Sequence, residues 1–152
     1  MIFVGNNAMV FIETDESYYE GIYILNGDLE RIGRTLVDHY DYDKAFDLIY
    51  EKRALRTIEN NVEKSKKYIL SNECDYFIAA LHSDALKNRE CFRYGNNHQL
   101  LGESVDETFI PYTSYYAKYV YFINHNNQWL VSYEESGYEF EDLVTNIEML
   151  EI

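Results

Sequence analysis

Residues 21–40 read GIYILNGDLERIGRTLVDHY, and a change of hydrophobic period inside this stretch decides the fold. Residues 21–25 (GIYIL) are short, apolar and rich in β-formers, which predicts a strand. Asn26-Gly27 is a turn signal. Asp28 suits a helix N-cap, because its side-chain oxygen can accept from a first-turn N–H. From Leu29 onward the period changes. Leu29, Ile32, Leu36, Val37 and Tyr40 recur at helical spacing, which predicts a helix from Leu29 to about Tyr40. Gly33 costs about 1 kcal/mol relative to Ala inside a helix, so its presence there predicts close packing.

Working outward, residues 2–4 and 8–13 read as strand, broken by Gly5-Asn6-Asn7, and residues 15–21 (DESYYEG) read as a polar turn. Beyond the first helix, Asp41 or Asp43 can cap a second, with Ala45, Phe46, Ile49 and Tyr50 as its expected buried stripe. Residues 51–67 hold six bases against three acids, and residues 62–70 within and beyond them are expected to be helical. Residues 74–81 (CDYFIAAL) predict a strand. Residues 83–114 carry polar clusters and the sole proline, Pro111, and predict loops. Residues 116–124 (YAKYVYFIN) alternate, His125-Asn126-Asn127 makes a turn, and residues 128–134 (QWLVSYE) return, which is the clearest hairpin of the chain. Residues 134–152 hold seven acids and no base and predict an acidic amphipathic helix, with Phe140, Leu143, Val144, Ile147 and Leu150 or Glu151 marking its faces. This order predicts a single α+β domain over residues 1–152. Its antiparallel sheet has about five strands: an N-terminal hairpin, a central strand and a C-terminal hairpin. Two to four helices pack against one face of that sheet.

The 152 residues suffice for a core without metal or disulfide staples. Acids outnumber bases 27 to 13, for a formal charge of -14. Such a field repels nucleic acid and anionic membrane and favours basic partners, although it also serves solubility. Tyrosine is in surplus at 16 residues and offers rigid contact faces with polar tips. Cys74 and Cys91 form no CxxC pair. Two free thiols suit a reducing cytoplasm, with a disulfide left open. The N-terminal MIFVGNNAMVFIE lacks a basic stretch ahead of its apolar residues, so no signal peptide is expected, and no apolar run reaches membrane-spanning length.

Chemistry-bearing patterns are sparse. Gly21-Ile22-Tyr23 followed by Ile32-Gly33 superficially resembles the core of the GIY-YIG nucleases. Arg31 stands where that family's second Tyr belongs, and no Arg follows Gly33 on the expected helix beyond Arg34 until Arg53. This leaves a degenerate nuclease as the weakest of three readings. His39 beside Asp38 and Asp41, and His82 near Asp84, give no metal-ligand spacing, and His39 suits a helix end. No GxSxG or phosphate-binding glycine loop is present. No catalytic residue, metal or cofactor is expected. The basic stretch from Lys52 to Lys67 could bind a phosphate or a nucleotide, but a solvated helix face is the favoured reading. Regularly spaced carboxylates on a C-terminal helix, from Glu134, Glu135, Glu139, Glu141, Asp142, Glu148 and Glu151, would imitate duplex phosphates at one charge per ~1.7 Å. An ordinary acidic helix packed on the sheet explains the same residues.

A wider pattern joins several of these residues: Gly21-Ile22-Tyr23, Gly27, Ile32-Gly33-Arg34-Thr35-Leu36 and His39-Tyr40, then Asp43, Lys44 and Leu48-Ile49. Tyr119, Tyr121, Phe122, Trp129 and Val131 complete it. It resembles a family of small proteins encoded by phages and prophages, and covers both ends of the chain but not residues 60–115. The resemblance implies a phage protein acting in the bacterial host cytoplasm and carries no activity of its own. The leading reading is therefore an acidic, non-catalytic accessory protein that binds and inhibits a host protein, a defence protein above all. Glu134, Glu135, Glu139, Glu141 and Asp142 are its expected contacts. The alternative is a module that sequesters a small nucleotide signal, with Tyr23 and Tyr40 stacking a base, Arg31, Arg34 or Lys52 holding phosphate, and His39 as a further binding residue. Neither reading calls for direct nucleic-acid or membrane binding. The oligomeric state stays open, a homodimer included.

Overall fold

The computed structural model describes residues 6–14, 18–50, 54–69, 79–82, 118–133, 136 and 139–150. Six strands form one sheet: β1 (Ala8–Glu13), β2 (Tyr18–Ile24), β3 (Ala79–His82), β4 (Tyr119–Ile123), β5 (Trp129–Ser132) and the two-residue β6 (Glu141–Asp142). Their spatial order is β3-β2-β1-β4-β5-β6. The helices are α1 (Arg34–His39), which continues a π-helical turn over Leu29–Gly33, then α2 (Tyr42–Tyr50), the single turn α3 (Val62–Ser65) and α4 (Leu143–Leu150). The α+β class, the two hairpins and the helix number all agree with the sequence reading.

Register divides the side chains between two faces. Val10 pairs with Ile22 and Phe11 with Gly21 in the β1–β2 hairpin, while Tyr121 pairs with Val131 in the β4–β5 hairpin. Ala8, Val10, Ile12, Ile22, Ile24, Tyr121, Ile123, Trp129 and Val131 share one buried cluster with Leu29, Ile32, Leu36, Ala45, Leu48, Leu143 and Ile147 of the helices. The helices therefore cover one face. Met9, Phe11, Val120 and Phe122 alternate onto the other and are buried too. There the rings of Phe122 and Phe140 meet edge to face at 5.1 Å.

Four details depart from expectation. The sheet is mixed, because β1 and β4 run parallel with Val10 beside Tyr121. Parallel neighbours need a long crossover, and more than a hundred residues separate these two strands. The strand over 79–82 lies at an edge, outside β2. Strand β2 includes Tyr18, inside the expected polar turn, because residues 19–24 pair with all of β1 and Tyr18 pairs with His82 of β3. Helix α2 buries Ala45, Leu48 and Ile49, whereas Phe46 and Tyr50 are 41% and 69% exposed. The expected stripe is thus correct at Ala45 and Ile49 and wrong at its two aromatics, whose rings meet at 5.8 Å and 41° instead of entering the core.

The C-terminal element differs most. Helix α4 starts only at Leu143, where Asp142 accepts from the backbone N–H and hydroxyl of Thr145, both at 2.9 Å. Glu139, Glu141 and Asp142 therefore precede the helix, and Glu148 is the acid within it. The regular carboxylate spacing expected of residues 134–152 is not formed by these residues. Residues 2–4, 74–78 and 83–114, with Glu134, Glu135, Glu151, Lys52, Arg53, Cys74 and Cys91, lie outside the described residues. No helix among the described residues is long and apolar enough to cross a membrane.

Candidate functional site

A cleft of about 410 Å³ opens at one end of the sheet, where three separate parts of the chain meet. The first is the start of the π-helical turn. Asp28 caps it by accepting from the Arg31 N–H at 3.1 Å, which places Asp28, Leu29 and Glu30 along one wall. The carbonyl of Asp28 accepts from Ile32 at 2.9 Å and more weakly from Gly33 at 3.4 Å, so the turn is wide from its first residue.

The second part is the β4–β5 hairpin. Val120 pairs with Ser132, so continuing that antiparallel register sets Tyr119 opposite Tyr133. Their rings lie 5.6 Å apart at 35°, and Tyr119 stacks on Tyr121 at 6.2 Å and 12°. The Tyr133 hydroxyl donates to Asn146 Oδ1 on α4, which fixes that ring against the helix.

The third part is α4. It packs closely over Gly33, where an added Cβ would stand 3.3 Å from Leu143 Cδ1 and 3.5 Å from Ile147 Cδ1. The close packing expected at Gly33 is the contact that seats α4. Leu150, 48% exposed, then closes the cleft from above.

The cleft has a mixed electrostatic rim. Asp28 Oδ1 stands 3.8 Å from Arg31 Nε, and Arg31 is itself 63% exposed. Across the opening, Lys118 Nζ donates to Asn6 Oδ1 at 3.2 Å. Glu30 is exposed to solvent. Behind the wall, Tyr121 is fully buried and donates to the Gly27 carbonyl at 2.7 Å. Burial holds its phenol well above the ordinary value of 10.0, and the neighbouring Tyr119, Asp28 and Tyr133 add to the effect.

The other residues singled out from sequence are dispersed. Tyr40 is buried on the helical side. Its hydroxyl donates to the Glu59 carbonyl at 2.8 Å and lies 3.0 Å from Ser65 Oγ, while its carbonyl accepts from Trp129 Nε1 at 2.9 Å. Burial raises its phenol pKa, the Ser65 bond opposes that, and the Glu59 charge adds to it. Tyr23 alternates with Ile22 and Ile24 and so points to the opposite side of the sheet. These two tyrosines therefore cannot stack one base between them. His39 is the exposed last residue of α1, Arg34 is half-buried at its start, and Arg31 sits beside Asp28. Glu139 and Glu141 are exposed, with Glu141 Oε1 accepting from Asn146 Nδ2 at 3.3 Å. Asp142 acts as a cap, and its carboxyl lies below the ordinary 3.8, chiefly through the Thr145 N–H. Ile32-Gly33, the second half of the nuclease-like pattern, lies in a helical turn and not in a strand.

A second groove of about 400 Å³ lies at the opposite end of β1, lined by Ile12, Glu20, Phe46, Ile49 and Tyr50. Among the described residues, no three His, Cys, Asp or Glu are grouped to hold a metal ion. The chain matches no protein-family model, no curated protein sequence and no solved structure.

Sequence reasoning missed Asp28, Glu30, Tyr119 and Tyr133 as members of one site. The signal for the tyrosines was present: each stands seven positions from Asn126, the middle of the hairpin turn, so the register places them opposite each other.

Proposed function

We propose that this chain is a non-catalytic phage accessory protein that binds and inhibits a host protein, in particular a defence protein, by engaging a basic surface of that partner in the host cytoplasm. The phage setting rests on the motif resemblance across residues 21–49 and 119–131. The observation that carries the binding reading is the cleft between Asp28, Glu30, Tyr119, Tyr133 and Leu150. It joins the two parts of the sequence with the strongest recognition character, the 21–40 segment and the Tyr-rich hairpin, to the C-terminal helix. Rigid tyrosines flanked by carboxylates have the chemistry of a protein interface, where aromatic anchors contribute most of the affinity and charge sets partner choice. At the cleft, Leu150 is 48% exposed and adds an apolar contact. The net charge of -14 favours a basic partner and raises its association rate.

The test is capture from host lysate at low and moderate salt, followed by an activity assay of the captured protein. The wild-type chain is expected to retain one host protein at both salt levels and to inhibit it, and E30K is expected to lose both properties. Capture of no specific partner, or a partner bound without inhibition, overturns the proposal.

A further inference from the structure

We infer that the cleft between Asp28, Glu30, Tyr119 and Tyr133 is a socket for a single arginine side chain of the protein partner. The assignment of that arginine to a host protein rests on the function proposed above, whereas the chemistry of the socket rests on its own geometry.

Three features select a guanidinium. Tyr119 and Tyr133 place two rings 5.6 Å apart at 35°, and Tyr119 is backed by the nearly parallel ring of Tyr121. A planar, weakly hydrated cation stacks on such faces, whereas the compact, strongly hydrated ammonium of lysine does so less well. Next, Asp28 and Glu30 line the same cleft. A guanidinium has five donors in a fixed fork and can bond a carboxylate while its plane lies on a ring. Finally, the chain already holds a guanidinium here: Arg31 Nε stands 3.8 Å from Asp28 Oδ1 while its side chain remains 63% exposed. An incoming arginine would share Asp28 with Arg31 and take Glu30 for itself.

The opposing features are also defined. The N-terminus of the π-helical turn would attract an anion, but Asp28 already occupies its Arg31 N–H. Lys118 is the other nearby cation, and its ammonium is held by Asn6 Oδ1, a lining residue of the cleft, at 3.2 Å. A cleft of about 410 Å³ admits one long side chain and its flanking backbone.

The probe is the peptide acetyl-Gly-Arg-Gly-Arg-Gly-amide, with lysine and citrulline versions as controls, titrated into the full chain while backbone amide resonances are followed. Citrulline keeps the planar shape and removes the charge. The arginine peptide is expected to bind at least about threefold tighter than the lysine peptide and to shift the amides of Asp28, Glu30, Tyr119, Tyr133 and Leu150. The citrulline peptide is expected to shift none of them. E30Q and Y119L are each expected to weaken arginine-peptide binding by about threefold or more. If Y119L fails to fold, E30Q and the map of shifted amides decide. Equal affinity for the arginine and lysine peptides, shifts centred elsewhere, or unchanged binding by E30Q would each overturn the socket. The two proposals fail separately. A host partner captured without arginine selectivity removes the socket alone, whereas arginine-selective binding without a host partner removes the host reading alone.

Discussion

The phenolic hydroxyl of Tyr121 donates to the carbonyl oxygen of Gly27, joining the middle of β4 to the turn before the first helix across 94 positions of sequence. Gly27 in turn donates its N–H to the Asn6 carbonyl, and a Cβ at this glycine would stand 2.3 Å from that of Ala8. The turn is therefore pressed directly onto the start of β1, and the Tyr121 hydroxyl satisfies its carbonyl in the core. Y121F leaves that carbonyl without its buried partner. The expected cost is about 2 kcal/mol, seen as a Tm lower by about 4–8 °C.

Tyr121 and Tyr40 also set the alkaline limit of stability. Both phenols have folded-state pKa values above 10.0, their ordinary value. Above that pH the unfolded chain releases protons that the folded chain keeps, so ionisation favours unfolding. Their contribution is fully present below pH 10 and is lost as pH rises from there through the folded values. Urea unfolding followed from about pH 8 upward should therefore show stability falling above about pH 10. In Y121F the fall should be shallower, and in Y121F/Y40F shallower again. An identical slope in all three proteins would refute this account.

Two glycines of the 21–33 segment should respond in opposite ways to alanine. At Gly21 a Cβ would meet Phe11 Cδ1 at 2.5 Å and the Val10 carbonyl oxygen at 2.6 Å. The Phe11 ring lies across its cross-strand partner, and the backbone oxygen cannot move aside without breaking the β1–β2 ladder. G21A is expected to cost about 3 kcal/mol or to prevent folding. At Gly33 the nearest atoms are the methyl ends of Leu143, Leu29 and Ile147 at 3.3–3.5 Å, and the backbone is already helical. The gain of about 1 kcal/mol in helix propensity there offsets the repacking, so G33A should stay within about 1 kcal/mol of the parent. Denaturant midpoints of the two variants separate the cases.

These glycines show what was legible in the sequence and what was not. The strand, cap and helix of residues 21–40 could be read because each depends on neighbours: a β-rich run, Asn26-Gly27, Asp28, and then a helical period. The β4–β5 hairpin could be read for the same reason. The parallel pairing of β1 with β4 left no local trace, because it joins strands more than a hundred residues apart. In α2, aromatic character at Phe46 and Tyr50 suggested burial, but the face is set by which turn meets the sheet, and Leu48 meets it. Among the site residues, the Tyr-rich hairpin and the 21–40 segment were visible separately. Their meeting depends on α4 packing over the first helix at Gly33 and on hairpin register placing Tyr119 beside Tyr133.

Ser65 is a residue that composition alone could not single out. It is fully buried, and its hydroxyl accepts from the Glu59 N–H at 2.8 Å and donates toward the Asn61 carbonyl at 2.9 Å. It also lies 3.0 Å from the Tyr40 hydroxyl, so one oxygen gathers the 59–65 turn and the end of the first helix. S65A strands the Glu59 N–H and should cost about 2–3 kcal/mol. Y40F should cost about 1–2 kcal/mol. Because both variants break the same network, the double variant should lose less than the sum of the two, by at least about 0.5 kcal/mol. Strict additivity in a double-mutant cycle would show that the hydroxyls act independently.

Asp28 has two roles that substitution can separate. As an N-cap it accepts from the Arg31 N–H, and as a charge it faces the cleft beside Glu30. Asparagine caps as well as aspartate, whereas alanine cannot accept the bond. D28A should therefore lose about 1 kcal/mol of stability, while D28N should keep the parent Tm within about 2 °C. Any loss of binding in D28N then reports charge and not folding. On the socket reading, D28N weakens the arginine peptide about threefold and leaves the citrulline peptide unaffected. It also frees Arg31 from its carboxylate, so E30Q/D28N should fall further than either variant alone. If D28N and D28A destabilise equally, the cap is not what orders this turn. If D28N binds the arginine peptide like the parent, Asp28 serves the fold alone and Glu30 carries the charge of the cleft.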